Sequence, residues 1–114
     1  MVDHDEVLDA LEEVCVALSD TIHRCTAAIE QAAWLQTERR AGKAYHEILG
    51  ETRSPLIVEL VSATLASLQE TGHKLRSAEA SALYAEGLTM TRIARLFGVS
   101  HQRISALIRE RRGA

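Results

Sequence analysis

The sequence predicts an all-α protein, with an N-terminal helical hairpin or bundle over residues 1–72 and a unit of three short helices over 73–114. Apolar residues recur at alternating steps of three and four from Leu8 to Ala32, a helical period. A single Pro and few aromatics, in a chain that is 46% hydrophobic, favour helices packed through Leu, Ile, Val and Ala. The stretch from Met90 to Arg109 carries the stop and restart signals of two short helices.

The first helix is expected from Val2 to about Ala41. Leu8, Leu11, Cys15, Leu18, Ile22, Cys25, Ile29 and Ala32 form a heptad seam. Val7, Val14, Ala28 and Leu35 flank that seam and widen it to a bundle-type face, so more than one partner helix is expected on it. Leu8, Leu11, Cys15, Leu18, Ile22 and Ile29, with Leu60, are therefore read as a dimerisation surface. Acidic residues near the start and Arg39 and Arg40 near the end suit the helix dipole. Trp34 reads as a packing anchor. Gly42 is a stop, and Tyr45 to Leu49 form one more turn before Gly50.

Ser54-Pro55 reads as a restart, with Ser as N-cap and Pro at the first helical position. Leu56, Ile57, Leu60, Val61, Leu65 and Leu68 make the next helix apolar on more than one face. It is expected to be the most buried element of the N-terminal module, packed against the first helix and, as one reading, across a dimer. Gly72 leaves two readings open, a helix end or a helix that runs on, with Ser77 as a fresh cap in the first case. Leu75, Ala78, Ala82 and Leu83 are the inner face of the first helix of the C-terminal unit. Gly87 ends it, and Leu88 folds back onto Leu83.

Thr89 caps the following helix, whose inner face is Ile93, Ala94 and Phe97. Gly98 supplies the positive φ that a tight turn needs, and Val99 plugs that turn. Ser100 caps a last helix with Ile104, Leu107 and Ile108 inward. Small Ala94 lets two helices joined by a short turn meet backbone to backbone. On these residues the chain resembles the DNA-binding helix-turn-helix superfamily. GLTMTRIARLFGVSHQRISALIRERR is similar to the trihelical C-terminal domains of resolvases and transposases and to promoter-reading domains of sigma factors. SPLIVELV and LRSAEASALYAEGLTMTRIA resemble stretches of small actinobacterial helix-turn-helix proteins. The resemblance implies a trihelical fold and DNA binding, and no pathway.

The net charge of −3 hides an asymmetry. Residues 1–38 hold nine acids against Arg24, a balance of −8. Residues 39–72 hold four of each sign. Residues 73–114 hold eight bases against Glu79, Glu86 and Glu110, a balance of +5. The basic end suits a polyanion, and the acidic end suits a protein partner.

By position, Ser100, His101, Gln102 and Ser105 project from the first turns of the last helix, where side chains reach base edges in the major groove. Gln102 can bond adenine, and Arg109 guanine or a phosphate. Thr89, Thr91 and Arg92 begin the helix that crosses the backbone. Arg103, Arg111 and Arg112 read as phosphate contacts. No catalytic triad, phosphate loop or metal-ligand spacing stands out among the five histidines and two cysteines, so no enzyme, cofactor or metal is expected. No long apolar run and no basic-then-apolar start predict a membrane span or signal peptide, and the cysteines fit a reducing cytoplasm. The expectation is a homodimeric regulator of transcription on double-stranded DNA in the nucleoid. The alternatives are a DNA-bridging nucleoid factor, and an interaction or sensor module whose N-terminal helices bind a protein or small ligand.

Overall fold

A computed structural model describes residues 5–52 and 55–113, the side chains of 112 and 113 excepted. The expected helix start at Val2, the Ser54 cap and the contact from Arg112 lie outside the described residues. Among those described the protein is all-helical, with α1 (Glu6–Arg40), α2 (Tyr45–Glu51), α3 (Ile57–Ala85), α4 (Met90–Phe97) and α5 (His101–Gly113). None of these helices is long and apolar enough to cross a membrane.

The chain divides into two compact units. One gathers the chain up to Cys15 and from Gln69 onward, and the other is Val16–Leu68. The first turns of α1 thus group with the C-terminal helices, and Gly72 lies inside a continuous α3. Glycine weakens a helix interior by about 1 kcal/mol, which packing of the turns around it overrides. Ser77, weighed as a fresh cap, is instead a buried mid-helix residue. Its hydroxyl donates to the Leu107 carbonyl at 3.4 Å.

α1 is capped at its start by Asp5, whose carboxylate accepts from the backbone N–H of Val7 at 2.9 Å and of Leu8 at 3.2 Å. At its end the Gly42 and Lys43 N–H groups bond back to the Arg39 and Glu38 carbonyls, a Schellman stop. Lys43 then ties the helix end to α2, with its ammonium 3.0 Å from Glu51 and 3.4 Å from Glu38. The Glu51 hydrogen bond, with the charges of both carboxylates, raises the Lys43 pKa above its ordinary 10.5.

Within Val16–Leu68, Ala17, Leu35 and Ile48 are buried, and Ile48 seats α2. The start of α3 is held in part by α1. Gln31 accepts from the Ile57 N–H at 2.6 Å and donates to the Pro55 carbonyl at 3.1 Å, while Glu59 accepts from the Leu56 N–H at 3.3 Å. Pro55 therefore precedes the helix by two residues and is not its first position.

Within the single chain, the inward line of α1 is not the expected heptad seam. Its buried and half-buried line is Val7, Ala10, Val14, Ala17, Thr21, Arg24, Ala28, Gln31 and Leu35. That line lies one residue before the expected seam and contains the residues read as its flank. Leu8, Leu11, Cys15, Leu18, Ile22 and Ile29 are exposed, and Leu60 is half-buried. Two lines with the same three-four spacing lie about 100° apart on one helix. Hydrophobicity favours the bulkier line, whereas close helix approach favours the line rich in alanine. The burial expected of α3 is not met inside one copy. No residue of its 57–68 segment is buried, and Val58, Val61 and Leu65 are more than half exposed.

Candidate nucleic-acid interface

The C-terminal core is Ala80, Ile93, Ala94, Ile104, Leu107 and Ile108, with Leu83, Leu88, Phe97 and Val99 packed against it. The inward positions expected of α4 and α5 are thus in the core, while Phe97 and Val99 stay half-buried. Ala80 at 0% exposure and the half-buried Tyr84 join them. They lie on α3 at i and i+4, so helical spacing from Ala80 could have found both.

Local chemistry builds the rest. The Gly87 and Leu88 N–H groups bond back to the Tyr84 and Leu83 carbonyls and close α3. Thr89 Oγ1 accepts the Arg92 N–H at 3.2 Å and starts α4. Gly98, at φ 67° and ψ 33°, is left-handed, a conformation that β-carbon crowding disfavours elsewhere. Its N–H and that of Val99 bond to the Arg95 and Ala94 carbonyls. Ser100 Oγ then accepts the Arg103 N–H at 3.1 Å and starts α5. α4 and α5 pack directly on each other.

This framework leaves one side of α5 open. His101, Gln102, Arg103 and Arg109 are exposed, whereas Ser105 is half-buried beside Ile104. On α4, Thr91 and Arg92 are exposed, as are the caps Thr89 and Ser100. Sequence reasoning passed over Arg95, also exposed and three residues after Arg92 on the same side of α4. Arg92, Arg95, Arg103 and Arg109 have no carboxylate partner among the described residues. Arg111, read as a phosphate contact, has its guanidinium 2.8 Å from the exposed Glu6 carboxylate. Glu110 similarly faces His73 at 3.3 Å. Arg76 lies over the Phe97 ring at 5.9 Å, a cation–π contact at the end of α4.

The arrangement offers amide, imidazole and guanidinium hydrogen-bonding groups on one short helix, with cations on it and on the helix before it that have no carboxylate partner among the described residues. Such groups suit planar acceptors and phosphates. No grouping of three or more His, Cys, Asp or Glu side chains that could hold a metal occurs among the described residues. Comparison with protein-family models, with curated proteins and with solved structures finds no match for this chain.

Proposed function

We propose that this chain is a double-stranded DNA-binding protein that reads sequence through α4 and α5 as a helix-turn-helix. In this reading it acts as a homodimeric regulator of transcription in the cytoplasm, at the nucleoid. The observation that carries it is the open side of α5, with Gln102, Arg103 and Arg109 exposed over a buried Ile104, Leu107 and Ile108. The exposed Arg92 supports the same reading, since a cation in the first turn of a helix is locally unfavourable until a phosphate meets it. His101, Gln102 and Ser105 face base edges, and Thr89, Thr91, Arg92 and Arg103 face the backbone.

The test is fluorescence anisotropy of a labelled duplex against the full-length protein over a series of salt concentrations. Arg92 and Arg103 of each of two copies make four charged phosphate contacts, which give a slope of log K on log salt of about −3.6. Binding that ignores salt, or no binding at low salt, would refute the proposal.

One observation favours a second reading, the ligand sensor. A cleft of about 420 Å³ in the Val16–Leu68 unit is lined by Ala32, Leu35, Tyr45 and Ile57, with Arg39 and Arg40 also on its wall. That lining suits an apolar carboxylate. Raised thermal stability with aromatic carboxylates, lost on Arg40→Ala, would support it.

A further inference from the structure

The cations of the compact unit that holds α4 and α5 fall into two sets. Lys74 stands 3.6 Å from Glu70, and the Arg111 guanidinium stands 2.8 Å from Glu6. Arg76, Arg92, Arg95, Arg103 and Arg109 are exposed and have no carboxylate partner among the described residues. The sequence keeps acids away from most of this second set. Between Glu86 and Glu110 the chain holds four Arg and no Asp or Glu. Arg92 and Arg95 are neighbours at i and i+3 on α4, a helix without an acidic residue. Like charges held together without counter-charges repel, and a polyanion relieves that repulsion.

Helical period separates the two sets on α5. Gln102 and Arg109 are seven residues apart and share its open side. Arg111 lies seven residues after the buried Ile104 and so shares the inward line, roughly 160° around the helix from Arg109. A duplex that meets Gln102 and Arg109 therefore meets the side of α5 that Arg111 leaves. Arg76 belongs with the open set. It leaves α3 beside the end of α4, with its guanidinium over the Phe97 ring at 5.9 Å. Phe97 comes three residues before Ser100, the cap of α5, so this contact holds a cation near the start of that helix. Guanidinium N–H donors lie in the plane of the group, and contact with a ring through its face leaves them for an anion.

We infer that Arg76 of α3 and Arg95 of α4 are phosphate contacts and that Lys74 and Arg111 are not. The duplex then touches all three helices of the unit, and its footprint ends where Glu70 and Glu6 neutralise the next cations. The inference rests on the DNA-binding reading above. It adds a contact from α3 and a second one from α4, and it takes Arg111 off the DNA side. Arg76 and Arg95 raise the charged phosphate contacts of two copies from four to eight, and the slope of log K on log salt from about −3.6 to about −7.2.

The experiment is a salt titration of one labelled duplex with the full-length chain, read by fluorescence anisotropy, with helix content checked by circular dichroism. The variants are Arg76→Gln, Arg95→Gln, Lys74→Gln and Arg111→Gln. Each removes one positive charge, so they share a net charge and differ only in where it was lost. Arg76→Gln and Arg95→Gln are each expected to make the slope shallower by about 0.9 for every bound copy. Lys74→Gln and Arg111→Gln are expected to leave it unchanged. Arg76→Lys keeps the cation and is expected to keep the slope, which separates a phosphate contact from packing against Phe97. A wild type that binds no duplex at low salt, or binds it regardless of salt, would overturn the DNA-binding reading and this inference with it. Salt-dependent binding whose slope either Arg76→Gln or Arg95→Gln leaves unchanged, or which all four variants reduce alike, would overturn the footprint alone. A shallower slope in Arg76→Lys would overturn the contact from α3.

Discussion

Gly72→Ala and Gly98→Ala make the same chemical change in the same compact unit, yet they should move stability in opposite directions. At neither position does an added β-carbon meet another atom within 4 Å, so packing does not decide the sign. Gly72 sits within helical α3, where Ala is more favourable than Gly by about 0.8–1.0 kcal/mol. Gly98 is at φ 67°, where a β-carbon costs about 1–2 kcal/mol. The lower unfolded-chain entropy of Ala returns about 0.4–1 kcal/mol, leaving a net loss near 1 kcal/mol. The two variants should therefore differ by about 2 kcal/mol. With a urea slope of about 2 kcal/mol/M, their unfolding midpoints should lie about 1 M apart, on either side of wild type. Circular dichroism during urea titration, at one fixed protein concentration, reads this directly. A Gly98→Ala variant as stable as wild type, or a Gly72→Ala variant less stable, would refute the backbone argument.

Ile104→Ala empties a fully buried position of the α3–α4–α5 core, and calorimetry should show a loss of about 2–5 kcal/mol. Gln102→Ala and Arg109→Ala should change the preferred DNA sequence, with a loss of roughly 1–3 kcal/mol of discrimination in a binding-site selection. Arg92→Ala should weaken all duplexes alike and reduce the salt slope by about one; an altered sequence preference with an unchanged slope would reverse these roles. Two-fold pairing of copies predicts an inverted-repeat target with half-site centres about 10 bp apart or a multiple of that. Footprinting should show two symmetric protected half-sites. Continuous protection of unrelated sequences would favour DNA bridging instead.

The stretch around α4 and α5 was legible because its signals are local. Thr89, Gly98 and Ser100 act on backbone groups within five residues of themselves, and the inward Ile93, Ala94, Ile104, Leu107 and Ile108 follow from helical period alone. The exposed side of α5 follows from the same period. The Arg111–Glu6 pair was not legible, because the two residues lie 105 apart in the chain. No neighbouring residue announces such a pair.

The sequence by itself determined that the chain is helical, where α1, α3 and α4 stop, and which residues of α4 and α5 face the core. Backbone propensity, caps and glycine act within one turn, so they can be read without knowing what lies nearby. Tertiary structure decided which of two equally spaced lines on α1 turns inward, that α3 runs through Gly72, and that Gln31 holds the start of α3. Each of these choices compares alternatives that are close in local free energy. Packing and hydrogen bonds between residues far apart in the chain tip the balance, and those exist only once the helices have met.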